Sequence, residues 1–244
     1  MTTSGTYNFN PSLGELTLYA FNLAGVRNTS IAQEHMESAR MATNLMLARW
    51  ANMGVNLWEV NLVTIPLTTG VSTYAAGVNS VTGLPDANDA NRTVMVLDAY
   101  VTTPNGGENI DRIILPVSRT EYASYPNKNQ QGFPTIYWFD RLVSPTITIW
   151  PVPNTSNGPS TLSYYRVTQI QDSNFTGGQT VDIPYRWMDA FANGLAYRLA
   201  RIWNPPMVQM LKAEADEAYA IAAQQDTEWT NMYISPQVSG YWRA

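Results

Sequence analysis

The 244-residue chain contains no cysteine. Disulfides and thiolate metal sites are therefore excluded, and a reducing compartment of synthesis is compatible. Its one histidine, His35, rules out histidine pairs and multi-histidine zinc sites within one chain. Set among Gln33, Glu34 and Glu37 on a helix, that ring reads as solvated or capped rather than catalytic. Lysine occurs twice, as Lys128 and Lys212. With a net charge of −5, this is a poor footprint for nucleic-acid binding, which needs clustered positive charge. No stretch approaches the roughly 20 apolar residues of a membrane helix, so no membrane partner is expected. The start, MTTSGTYNFN, lacks the basic and apolar regions of a signal peptide.

Charge of either sign is scarce. Charged residues make up 14% of the chain, against roughly 25% in ordinary soluble domains. Either much of the surface is covered by other subunits, or it is polar and uncharged. The 8 Trp and 14 Tyr suit an interface, and equally suit β-sheets.

The chain is organised around residues 182–229. Trp187, Ala190, Phe191, Gly194, Leu195, Leu199 and Ile202 recur at helical spacing and form one apolar face. Gly194 costs this helix about 1 kcal/mol of propensity, which points to a neighbour in close approach. Pro205 and Pro206 must interrupt it. A second helix is expected from about Met207 to Met232, with a seam of Leu211, Ala215, Ala218, Ala222, Gln225 and Trp229.

At the other end, Ser12 and Glu15 spell a capping box for a helix that Gly25 stops. Ser30 to Gln33 repeats the spelling for a helix from about Ile31 to Met53, ended by Gly54. Ile31, Met36, Ala39, Leu45 or Met46, Trp50 and Met53 supply its packing face. Between lie alternating runs that read as strands at 57–65, 93–102, 110–116, 135–140, 146–150 and 160–169, with short ones at 72–74 and 181–183. Ser118 to Glu121 starts a helical turn. The expected fold class is α+β: a helical bundle formed by the N- and C-terminal helices, with an inserted, mainly antiparallel β domain. The expected boundaries are 1–56 and 184–232 for the helical domain, 57–183 for the β domain and 233–244 for a C-terminal tail.

Few residues offer chemistry. Asp98, Asp111 and Asp140 lie in or beside strands, where a glycosidase pair would sit; they equally suit solvent or turn caps. Asn105-Gly106-Gly107 lacks the lysine and spacing of a phosphate loop. Tyr137, Trp138, Trp150, Tyr164 and Tyr165 are either a sugar-stacking platform or core and interface aromatics. Glu214, Asp216, Glu217, Asp226 and Glu228 give the last helix an acidic face, either solvated or turned to cations or DNA. In the tail, Ile234, Val238, Tyr241, Trp242 and Arg243 form an apolar peptide suited to docking on a partner, or to folding back on the chain's own core.

In order and spacing, several segments resemble one family: Gly70 to Tyr74, Arg119 to Tyr125, Lys128, Gly132 to Pro134, Tyr137 to Pro153 with its Ile149-Trp150-Pro151-Val152-Pro153 exit, Ile183 to Trp187 and Ala190 to Ala196. These resemble the head-to-tail adaptors of short-tailed bacteriophages, the connector or tail-tubular-protein-A type, from about Ile31 to Glu228. The resemblance implies a virion protein without enzymatic activity, cofactor or metal. It further implies a dodecameric ring between the portal protein and the tail nozzle, with tail fibre proteins as further partners and DNA passing through without specific binding. Under it, Trp187, Phe191, Gly194, Leu195, Leu211, Ala218 and Ala222 are expected to pack the ring. Glu214, Asp216 and Glu217 are candidates for the channel wall, and Ile234, Val238, Tyr241, Trp242 and Arg243 for portal docking. The alternative is a carbohydrate-binding or glycan-cleaving virion protein built on the strand aromatics.

Overall fold

Local hydrogen bonding at Ser12 starts the first helix. The Glu15 N–H donates to its hydroxyl at 3.3 Å, and the Ser12 N–H donates back to the Glu15 carboxylate at 2.8 Å. This reciprocal pair satisfies two orphan donors of α1 (Leu13–Leu23). Gly25 ends it with φ of 79°, a left-handed conformation that favours glycine. A side chain there would also meet the Asn204 amide at 2.7 Å. The structure, a computed structural model of the chain, describes residues 5, 9–54, 57–105, 107–154, 160–174 and 178–226.

The second cap differs from its spelling. The Ser30 hydroxyl donates to the Arg27 carbonyl inside a 3-10 turn (Asn28–Ser30), so it is not free to cap. α2 (Gln33–Asn52) starts after Ala32, whose N–H donates to His35 Nδ1 at 3.2 Å. The His35 ring also stacks on Trp203, with centroids 3.9 Å apart. The lone histidine is thus a cap and a packing surface. On α2, Met46 and Trp50 are buried while Leu45 and Met53 are exposed, so the packing face is narrower than the apolar pattern predicts.

The strands are β1 (Val60–Pro66), β2 (Thr73–Ala75), β3 (Thr93–Asn105), β4 (Glu108–Pro116), β5 (Ile136–Asp140), β6 (Thr146–Trp150) and β7 (Thr161–Thr168). Residues Leu57–Glu59 form a 3-10 turn rather than strand. Residues 181–183 add no strand, because Ile183 is drawn into the helical core. Two short helices interrupt the strands: α3 (Ala87–Ala90), capped by Asp86, and α4 (Arg119–Ser124), capped by Ser118. The sheet order is β1-β7-β3-β4-β5-β6-β2, antiparallel except at β4–β5. Every strand supplies buried side chains to one cluster, among them Ile65, Tyr74, Val101, Ile114, Tyr137, Ile149 and Leu162. The sheet therefore curls around its own core.

The helices before and after the strands pack on one another. After a 3-10 turn (Tyr185–Trp187), α5 (Met188–Trp203) and α6 (Val208–Gln225) meet at the expected proline elbow. The Asn204 side chain pins that elbow to the end of α1 by donating to the Ala24 carbonyl at 2.9 Å. Gly194 does admit a neighbour: a Cβ there would lie 2.7 Å from Met46 Sδ. Side chains of α1, α2, α5 and α6 share a second core cluster, with Trp187 and Leu195 fully buried. The fold is α+β.

The two cores meet around Trp58 and Glu59. The Trp58 indole donates to the Asp182 carbonyl at 3.2 Å, and Asn44 exchanges two hydrogen bonds with the Ser173 backbone. The Glu59 carboxylate is buried and accepts from the Thr168 hydroxyl at 2.8 Å. Burial foremost, then the hydrogen bond and charge of the neighbouring Asp182 carboxylate, push its pKa up to about 7 despite the Thr168 hydrogen bond. The folded chain therefore holds this proton more tightly than the unfolded one. The resulting stability is full below about pH 4.5 and is lost as pH rises through about 7. Glu59→Gln is expected to flatten that slope, measured as urea midpoints at about pH 5 and about pH 8.

Candidate interaction surfaces

Six of the seven residues expected to pack a ring are buried in the core of the single chain, and the seventh, Gly194, is partly exposed. Trp187, Phe191, Leu195, Leu211, Ala218 and Ala222 belong to the helical core, and Gly194 lies against Met46 at the edge of a small cavity. Side chains with almost no accessible surface have none to offer a second copy, so their packing serves the protomer. The portal-docking residues Ile234, Val238, Tyr241, Trp242 and Arg243 lie outside the described residues, as does the helix predicted beyond Gln225.

The strand aromatics do not form an open platform. Tyr137 and Tyr164 are buried. Trp138 stacks on Tyr122 at 5.4 Å and Trp150 on Tyr125 at 4.4 Å. Lys128 fastens that cover by donating to the carbonyls of Tyr122, Ala123 and Tyr125. The carboxylates are dispersed as well. Asp111 pairs with Thr102 across β3–β4, which places Asp98 four residues along β3, roughly 13 Å away. Asp111 is occupied by the Thr102 hydroxyl at 2.6 Å. At roughly 13 Å, the separation of Asp98 and Asp111 exceeds the spacing of a glycosidase pair.

Apolar surface lies elsewhere. Phe9, Leu16, Tyr19, Tyr185 and Met188 line a groove of about 600 Å³ between α1 and the start of α5. Tyr185 is 71% exposed, and Phe9 meets its ring edge-on at 6.2 Å. Arg186, on the groove wall, pairs with the buried Asp226 at 2.7 Å, so α6 ends beside this groove. On the outer face of the sheet, Leu62 and Tyr165 sit opposite each other on β1 and β7, and Ile113 and Leu115 project from β4; all four are exposed.

The helical layer also carries separated charge. Arg198 is half-buried on α5; burial, then the charges of Arg49 and Arg201, lower its pKa. Among the described residues, none of these three arginines has an ion-pair partner. The acidic residues Glu214, Asp216 and Glu217 are all exposed on α6, but they do not share a face. Asp216 joins Ala215 and Tyr219 on the flank towards α2, around a cavity of about 70 Å³ that Met46, Arg49 and Trp50 complete. A helix turns about 100° per residue, which carries Glu214 and Glu217 to the other flank.

The sequence profile of the SU10 adaptor protein matches residues 22–239. The chain belongs to the SU10 adaptor family. No curated protein matches it. Membership supports a phage structural protein that joins virion components, with portal or tail proteins as partners. The matched span is wider at both ends than the resemblance over residues 31–228. It begins within α1 and runs into the C-terminal segment as far as Ser239, so Ile234 and Val238 fall inside the family pattern while Tyr241, Trp242 and Arg243 lie beyond it. The adaptor's exposed apolar surfaces, on groove, sheet and helices, are what a protein covered by neighbours requires. No helix among the described residues is long and apolar enough to cross a membrane.

Proposed function

We propose that this adaptor is a structural ring of the virion neck, joining the portal protein to the tail nozzle and letting the genome pass. Family membership over residues 22–239 carries the reading. The ring is dodecameric and of the short-tailed connector type, non-enzymatic, and assembled in the virion from chains made in the host cytoplasm. Residues 1–56 and 184–232 build the ring, 57–183 form the β unit that meets nozzle and fibre proteins, and 233–244 dock on the portal. In support, the helical and strand cores are separate clusters, and large apolar side chains are exposed on both. Twelve copies at −5 each carry about −60, so DNA slides through without counterion-release binding.

Light scattering of the 27.2 kDa chain, alone and mixed with the portal ring of the same virion, tests this. The expected result is a monomer alone and a complex of ring mass with the portal. A chain that never associates with the portal overturns the adaptor reading. Deleting residues 233–244 should weaken portal capture by about tenfold or more. Unchanged capture removes the tail from that role and leaves the ring intact.

A further inference from the structure

Two flanks of the helical layer are complementary to each other and face different ways. On the first, α2 exposes Met41 (57%) and Leu45 (55%), one helical turn apart. Beside them stand Arg49, Arg198 and Arg201, the last two on α5, and Arg198 reaches across to the Leu45 carbonyl at 3.5 Å. Like charges clustered without partners are unfavourable, more so where one is half-buried. An anionic neighbour would relieve this. Asp216 shares the adjoining cavity yet forms no ion pair with any of the three.

The second flank belongs to α6. Met210, Glu214, Glu217 and Ile221 recur at i, i+4, i+7 and i+11, within about 60° of one another around the helix. Met210 is 51% and Ile221 58% exposed. Neither glutamate has an ion-pair partner among the described residues. The α2-facing side of α6 is defined by Ala215, Asp216 and Tyr219, roughly half a turn away from this stripe. One flank is therefore cationic with apolar residues beside it, and the other anionic with apolar residues at both ends.

We infer that the α2/α5 flank around Met41, Leu45, Arg49, Arg198 and Arg201 binds the α6 flank of a second copy, through Met210, Glu214, Glu217 and Ile221. Surfaces that differ and lie on opposite sides of a protomer make a head-to-tail contact, which generates a ring when the rotation closes. The inference rests on the ring reading and names its interface. It assigns Glu214 and Glu217 to the contact between copies rather than to the channel wall. Charge complementarity sets partner choice and register, and the apolar residues supply burial.

The test uses two charge-reversed chains, Arg49→Glu/Arg201→Glu and Glu214→Lys/Glu217→Lys. All four positions are exposed, and far-UV melts confirm that both fold. Assembly is read by light scattering with the portal ring. Each variant alone should need about a hundredfold more protein for half-assembly. Mixed in equal amounts they should recover assembly, because alternating copies place an acidic flank against a basic one at every contact. If wild type assembles and both variants do so equally well, the ring reading stands and this interface is wrong. Loss in each variant without recovery in the mixture also overturns it, since the flanks then face a different partner. Failure of wild type to assemble removes the adaptor reading and the interface together.

Discussion

Replacing Trp187 with alanine is expected to cost about 3–5 kcal/mol, the range for truncating a large buried aromatic side chain. Trp187 has no exposed surface. Its ring lies 5.1 Å from that of Trp50 on α2, 5.5 Å from Trp58 beside β1 and 5.6 Å from Tyr219 on α6. Truncation opens a cavity among rings held by three separate elements, and no one of them can collapse into it alone. Tm should fall by roughly 10 °C or more for a chain of this size. Trp187→Phe is the informative control. The indole N–H has no hydrogen-bond partner in the structure, so phenylalanine removes an unsatisfied donor while leaving a smaller void. It should recover more than half of the loss. Urea unfolding followed by far-UV circular dichroism gives both numbers without relying on the fluorescence of the ring removed. An alanine variant within about 1 kcal/mol of wild type would mean that Trp187 does not join these elements in solution.

That core also holds the two charged flanks in place. Arg49 sits on the α2 turn beside Trp50, and Glu217 lies two residues before Tyr219 on α6. Loss of Trp187 should therefore weaken assembly on the portal as well as stability, whereas charge reversal on the flanks should affect assembly alone. The difference separates a folding defect from an interface defect.

What was legible in the sequence was chemistry confined to neighbours in the chain. Ser12 with Glu15, Gly25, Gly54, Ser118 and the Pro205-Pro206 elbow each act within a few residues, and each lies at the boundary it predicts. Ser30 failed because its hydroxyl has a nearer acceptor in the Arg27 carbonyl. On α2 the pattern admitted either Leu45 or Met46, since adjacent residues differ by only about 100°. Met46 is taken by Gly194, and Leu45 is left outside. Residues read as packing positions but found exposed, Leu45, Met53 and Ile202, are apolar side chains that the other described residues leave about half uncovered. Sequence periodicity cannot tell an interface from a core. The same holds for the residues expected to pack the ring, six of which are already buried within the described residues of one chain. Sheet order was not legible either, because β1 pairs with β7 about a hundred residues away, Val63 opposite Tyr164, and no local signal encodes that choice.

Asp89 is a case of such non-local dependence, and its removal should be among the most damaging changes in the β half. Arg166 on β7 is buried, and its guanidinium meets the Asp89 carboxylate at 2.6 Å. It also donates to the Thr93 hydroxyl at 2.9 Å and to the Ala76 carbonyl at 3.3 Å. Those neutral acceptors orient the charge but do not balance it. Asp89 in turn accepts from the Val78 N–H at 2.9 Å, so it ties the 76–78 segment to β7. Gly77 makes this possible: a Cβ there would lie 2.2 Å from the Ala90 backbone nitrogen. Asp89→Ala leaves a buried, uncompensated guanidinium, which costs about 3–5 kcal/mol. Replacing both partners by apolar residues, Asp89→Leu with Arg166→Met, removes the stranded charge and should restore most of that loss. Urea unfolding of the single and double variants measures the coupling directly. A double variant no better than Asp89→Ala would show that the Val78 and Gly77 contacts, rather than the charge, hold this corner. Because Asp89 and Arg166 lie in the strand half and Trp187 in the helical core, the two substitutions also probe the proposed division of the chain. If the halves unfold separately, Asp89→Ala shifts the transition seen by strand-sensitive probes and leaves the helical one, and Trp187→Ala does the reverse. If they unfold together, both substitutions move one common transition.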